Sequence, residues 1–155
     1  MKLENPYNLP IVDAFIRLYG ELIADKCAWK DRTVRFLPLP DYDNKFRDII
    51  VRYRDAIYIS SSEIGQLGLT RPEIFASLAH ELGHIVYGMQ PFGIDAETRA
   101  DGFAAELGLA SQMISVIEKI IQSRRFRGIT SQLVQRIQFL QHLEKPEVFQ
   151  ECYYG

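Results

Sequence analysis

The sequence predicts an α+β fold, with a small sheet between an N-terminal helix and a helical C-terminal half. Residues 11–29 have helical hydrophobic periodicity, residues 33–60 hold short strand-like segments, and amphipathic helical segments follow from residue 71 onward. The chain has 155 residues, of which 47% are hydrophobic and 25% charged, which is typical of one globular domain. We therefore expect residues 1–155 to form a single domain.

The elements of the N-terminal half follow from the spacing of apolar residues. Residues 11–29 predict an amphipathic helix, because apolar side chains recur every three or four positions. Alternation predicts a short strand from Thr33 to Leu37 and a hairpin over residues 48–60, with its turn near Arg54 and Asp55. We expect the resulting small sheet to be antiparallel or mixed.

A helix start is predicted at Thr70, because Thr70-Arg71-Pro72-Glu73 matches a capping box with proline in the first turn. This helix should run from about Arg71 to Tyr87 and stop at the following glycine. It carries the only two closely spaced histidines of the chain.

Two further helices are predicted downstream. Asp95 can cap a long helix that weakens near Gly108 and continues to about Arg125. Residues 130–143 predict the last helix, since their apolar positions share one face.

Charge and composition exclude several classes of function. With 18 basic and 20 acidic residues the net charge is −2, which offers no global attraction to nucleic acid or to an anionic membrane. No run of 18 apolar residues predicts a membrane helix, and the N-terminus has no apolar leader segment. Cys27 and Cys152 fit two free thiols in a reducing compartment. We expect a cytoplasmic protein without nucleic-acid or membrane partners.

The residues that indicate a functional site are those of the pentapeptide His80-Glu81-Leu82-Gly83-His84 inside the predicted helix. At positions i and i+4 both imidazole rings lie on one helix face, which suits a tetrahedral metal. Glu81 is rotated by about 100° around the helix, beside the open position of such a metal. The alternative is a pair of surface histidines without a role, but the surrounding residues are apolar and predict burial.

A catalytic zinc site usually has three protein ligands, and Glu97 is the best candidate for the third. Asp101 follows one turn later on the same face, so that one carboxylate can bind the metal while the other accepts an imidazole N–H. The alternative is an ordinary acidic first turn stabilised by the helix dipole. A third histidine, His142, is better explained as a solvated surface residue.

These two motifs resemble those of the gluzincin metallopeptidases. His80-Glu-Leu-Gly-His84 followed by Glu97-x-x-Ala-Asp101-x-Phe-Ala is similar to both the ImmA/IrrE-like and the HtpX-like peptidases. The resemblance implies a minimal zincin-like domain, in which an active-site helix precedes a ligand helix and C-terminal helices. It also implies that His80, His84 and Glu97 bind Zn2+, that Glu81 is the catalytic acid and base, and that Asp101 orients an imidazole.

The function expected from these residues is hydrolysis of peptide bonds in a peptide or protein substrate by a zinc-dependent metallopeptidase. Tyr58, Tyr87 and Arg99 are open candidates for stabilising the oxyanion. The alternative is a regulatory protein that uses a zinc site to bind a partner, such as a repressor, without catalysis. An intact Glu81 favours the enzyme, because a structural metal site does not need it.

Overall fold

A computed structural model describes residues 1–40, 50–88, 93–123 and 127–154 of the chain. The chain divides into two compact units, Met1–Arg71 and Pro72–Gly155. The first unit contains all four described strands and two helices. In chain order these are β1 (Lys2–Glu4), α1 (Pro10–Lys26), β2 (Thr33–Pro38), β3 (Ile50–Tyr53), β4 (Ala56–Ile59) and α2 (Ser61–Leu67).

The sheet of the first unit has the strand order β1-β2-β4-β3. The strands β1, β2 and β4 are parallel, and only β3 pairs with β4 in the antiparallel sense. The expectation of an antiparallel or mixed sheet does not match these three parallel strands, because local alternation does not encode the direction of a distant partner. The predicted hairpin is confirmed from residue 50 onward, with Arg54 in a left-handed conformation at its turn (φ 54°), whereas residues 48 and 49 of the prediction lie outside the described residues.

Helix α1 and strand β2 contribute most of the core of this unit. The side chains of Val34 and Phe36 are buried on one face of β2, whereas Arg35 between them is exposed, as strand alternation requires. Phe15 of α1 contacts Phe36 with their ring centroids 6.1 Å apart. Pro10 occupies the first position of α1, where its missing N–H removes no helical hydrogen bond.

The second unit is helical in its described part and holds the histidines and the carboxylates of the candidate metal site. Its helices are α3 (Arg71–Tyr87), α4 (Ile94–Glu106), α5 (Ala110–Ser123) and α6 (Thr130–Tyr154), and a short 3-10 helix (Arg127–Ile129) precedes α6. The predicted bounds of α3 are confirmed. Helix α6 begins as predicted but continues beyond residue 143, past the apolar spacing on which the prediction depended.

The single long helix predicted after Asp95 is wrong, because α4 and α5 are separate helices. Gly108 adopts a left-handed conformation (φ 81°), and the N–H of Leu109 donates to the carbonyl of Ala104 (3.0 Å). This is the Schellman arrangement that ends a helix at a glycine. Asp95 does not cap α4, since the N-cap position is Gly93 and has no capping side chain. No helix in the described ranges has the length and apolar character needed to cross a membrane.

Candidate metal centre

The two histidines of α3 lie side by side in a buried position. His80 and His84 are 6% and 5% exposed, and their Nε2 atoms are 3.2 Å apart. Their rings are nearly perpendicular, with an interplanar angle of 88°. Two imidazole nitrogens at this distance can be stabilised in two ways. They share a proton, or both bind one cation together with a third group.

Glu97 of α4 supplies that third group. Its Oε2 lies 3.0 Å from Nε2 of His80, and its Oε1 lies 3.5 Å from Nε2 of His84. Zinc binds imidazole nitrogen at about 2.0–2.1 Å, so tetrahedral ligand atoms are separated by about 3.3 Å. The three observed distances are close to that value. His80, His84 and Glu97 therefore form a cluster that can hold a metal ion.

Gly83 allows α4 to reach the histidines. A Cβ atom at residue 83 would lie 2.8 Å from the Cα and 2.9 Å from the carbonyl oxygen of Ala100, closer than real Cβ contacts. Only glycine permits this approach of the two helix backbones, because no side-chain movement can relieve a clash with backbone atoms. Ala100 lies between Glu97 and Asp101, so the contact lies within the segment that carries both carboxylates.

Asp101 meets the opposite nitrogen of the His80 ring. Its Oδ1 is 2.8 Å from Nδ1 of His80, and its side chain is fully buried. A carboxylate can only accept, so Nδ1–H of His80 donates and, in the neutral ring, the lone pair of Nε2 faces Glu97 and His84. This is the tautomer that a metal-binding histidine needs, and it agrees with the orienting role expected of Asp101.

Arg136 of α6 was not predicted as part of this cluster. Its Nε donates to Oδ2 of Asp101 (2.8 Å), and its Nη2 donates to Oδ1 (2.9 Å). Its Nη1 lies 3.5 Å from Oε2 of Glu97. The sequence contains one signal for it. Arg136 lies three residues after Leu133 and four before Leu140, so a charged residue occupies the buried face of an amphipathic helix.

The charges of the cluster shift the pKa values of its members in opposite directions. Burial by itself would lower the pKa of His80, but the carboxylates of Asp101 and Glu97 outweigh it and raise the pKa to about 9. Burial would raise the pKa of Asp101 and of Glu97, yet the histidine and arginine partners hold both well below their usual range. Near neutral pH the cluster therefore has two ionised carboxylates and a protonated His80.

The other residues named from the sequence are Glu81, the three oxyanion candidates and His142, and they differ in exposure and in the element that carries them. Glu81 is half-buried on α3, next to His80 in the chain. Its negative charge, together with the larger effects of Asp101 and Glu97, offsets burial and raises the pKa of Arg136. Of the three oxyanion candidates, Tyr87 and Arg99 are exposed, and Tyr58 lies on β4 in the first unit. His142 is exposed, as predicted.

The Nδ1 atom of His84 has no hydrogen-bond partner among the described residues. The two histidines thus differ, because only His80 has a carboxylate on its outer nitrogen.

Comparisons with protein-family models, with curated proteins and with solved structures found no match to this chain. The resemblance to gluzincins therefore depends on the two sequence motifs.

Proposed function

We propose that this chain is a zinc-dependent metallopeptidase that hydrolyses peptide bonds. The observation that carries the proposal is the convergence of His80 Nε2, His84 Nε2 and the Glu97 carboxylate within 4.8 Å, with Glu81 next to the first ligand. A metal site that serves only structure has no need of an additional carboxylate at that position. A set of three protein ligands is also the number typical of catalytic zinc sites, in contrast to the four of structural sites.

The donor set fits zinc. Two imidazole nitrogens and one carboxylate oxygen are ligands that zinc accepts. Its filled d shell imposes no geometric preference, so zinc tolerates a mixture of nitrogen and oxygen ligands. His80, His84 and Glu97 would hold the zinc ion, which would lower the pKa of a water molecule towards neutrality and polarise the scissile carbonyl. The outer nitrogen of His80 is fixed by Asp101, which raises the basicity of that ligand.

In the proposed mechanism Glu81 moves the proton. Its carboxylate accepts a proton from the attacking water and then donates it to the leaving amine. The i, i+1 relation to His80 directs Glu81 about 100° away around α3, so that it lies beside the two-histidine face and not on it. Glu81 is half-buried, which keeps its carboxylate partly shielded yet accessible to a substrate.

The substrate we propose is an extended peptide segment. The gluzincin resemblance favours such a substrate, because an extended peptide offers main-chain groups for hydrogen bonds whatever its side chains are.

The test compares metal content and peptide cleavage in wild type and Glu81→Gln. Glutamine is nearly isosteric with glutamate but cannot accept the proton, so the variant should keep zinc and lose hydrolysis of a peptide library. Glu118→Gln is the matched control, since Glu118 is an exposed residue of α5. Equal cleavage by wild type and Glu81→Gln would contradict the role of Glu81. Stoichiometric zinc without cleavage in wild type would instead favour a non-catalytic regulator that binds a partner such as a repressor.

A further inference from the structure

We infer that Arg136 is a positioning residue that assigns different tasks to the two carboxylates of α4. It binds Asp101 in a fixed orientation towards His80 and leaves Glu97 available to the metal. This inference depends on the metal site of the proposed function, but it does not depend on hydrolysis.

The contact with Asp101 is bidentate. The Nε and Nη2 atoms of Arg136 each donate to a different oxygen of the carboxylate, at 2.8 and 2.9 Å. Oδ1 also accepts from Nδ1 of His80, so both oxygens of a fully buried carboxylate are occupied. A fork of two parallel hydrogen bonds fixes the plane of the carboxylate as well as its place. Asp101 cannot turn towards a metal without breaking this fork.

The contact with Glu97 is weaker and of a different kind. Nη1 of Arg136 lies 3.5 Å from Oε2 of Glu97, which is an electrostatic contact and not a short hydrogen bond. The same Oε2 lies 3.0 Å from Nε2 of His80, on the metal-binding side of the ring. The guanidinium therefore attracts the Glu97 carboxylate into the site without occupying it.

The difference between these two contacts matters because the sequence places two carboxylates close to one metal position. Asp101 and Glu97 lie one turn apart on one helix face, and both can compete for a single cation. Arg136 comes from α6, which packs against α4 and α5. Its planar fork satisfies the shorter, fully buried carboxylate, so that the longer and partly exposed Glu97 remains the metal ligand.

The experiment measures zinc affinity against a competing chelator, with hydrolysis playing no part. We expect Arg136→Gln to weaken zinc binding by about 10–100-fold, the range typical when a partner that orients a ligand is lost. Arg136→Lys keeps the charge but not the fork, and should lie between wild type and Arg136→Gln. If Arg136 acts through Asp101, the double variant Arg136→Gln/Asp101→Asn should bind zinc about as tightly as the weaker single variant.

Two controls separate positioning from general stability. Arg17→Gln removes an exposed arginine paired with Asp13 on α1, and should leave zinc affinity unchanged. Leu140→Ala removes a fully buried apolar side chain of α6, and should lower thermal stability without weakening zinc binding in the folded protein. Arg136→Lys is the variant to use if Arg136→Gln does not fold.

The outcomes are distinguishable from those of the proposed function. If wild type binds zinc and both Arg136 variants bind it within twofold of wild type, the positioning role is wrong and the metal site stands. Independent, additive losses in the Arg136→Gln/Asp101→Asn cycle would also overturn it. Wild-type protein that takes up no zinc would overturn the metal centre, and the inference with it.

Discussion

Among the residues that the structure describes, two buried ionic clusters of the second unit differ in how many of their polar atoms have partners. The Glu73 cluster consists of Glu73, Ser115 and Lys119. Oε1 of the buried Glu73 is 2.6 Å from Nζ of Lys119, and Oε2 accepts from the hydroxyl of Ser115. One carboxylate meets one ammonium group, and each oxygen has a partner. The cluster links α3 to α5 and needs no additional ion.

The histidine cluster consists of His80, His84, Glu97, Asp101 and Arg136. It has two carboxylates for one guanidinium, and two Nε2 atoms face each other at 3.2 Å. Its formal charges balance when His80 is protonated, whereas a divalent cation in place of that proton would leave one excess positive charge. The Glu73 cluster is thus complete as it stands, whereas the histidine cluster converges on one point and depends on a proton or a cation there.

The largest expected effect that tests this difference comes from Glu97→Ala. It removes one of three ligands, so zinc affinity should fall by more than the roughly 100-fold limit for residues that only orient a ligand. Titration with zinc against a chelator measures it. Glu106→Ala, an exposed glutamate on the same helix, is the control and should bind zinc as wild type does. Retention of zinc by Glu97→Ala would exclude Glu97 as a ligand.

The pH dependence of zinc affinity tests the charge balance. His80 must lose its proton to bind zinc, and its pKa in the metal-free protein is raised to about 9. Binding below that pH releases the proton, so affinity should rise about tenfold per pH unit from pH 7 and level off near pH 9. Chelator competition at several pH values provides the measurement. An affinity independent of pH in this interval would mean that no proton occupies the metal position.

Asp101→Asn should have a smaller effect on zinc binding than Glu97→Ala. Asparagine can still accept from His80 through its oxygen, but its NH2 group then faces the donors of Arg136. We expect a loss of about 10–100-fold in zinc affinity. Asp95→Asn on the same helix is the matched control, because Asp95 is exposed. If Asp101→Asn abolished zinc binding while Glu97→Ala kept it, the roles of the two carboxylates would be exchanged.

The smallest effect on zinc should come from Glu73→Gln, which disrupts the Glu73 cluster. Removing the charge leaves the partly buried Lys119 without its carboxylate and should lower the free energy of unfolding by about 1–3 kcal/mol. Zinc affinity should stay within about twofold of wild type. Urea denaturation and the same zinc titration measure the two quantities, with Glu118→Gln as the exposed control. A large loss of zinc affinity would mean that the two clusters are coupled.

Helices, strands and turns were predictable where neighbouring residues in the chain determine the backbone conformation. The bounds of α3 and the turn at Arg54 follow from capping, periodicity and chain reversal, which act over a few residues. Helix α2 was missed although its ends carry local signals, since the Ser60 hydroxyl accepts from the N–H of Glu63 and Gly68 is left-handed. Strand β1 was missed because it has only three residues and pairs with β2, which is distant in the chain. The parallel pairing of β1 with β2 has the same cause, since nothing local specifies which strand lies beside another.

The sequence by itself determined the chemistry of the site. His80 and His84 share a face because a helix repeats every 3.6 residues, and Glu97 and Asp101 share one for the same reason. Only the tertiary structure decided how the two faces meet and what completes them. The close approach at Gly83 and the fork from Arg136 join residues that are 17 and 35 positions apart in the chain. Such contacts depend on how one helix packs against another, and a local sequence pattern does not specify that packing.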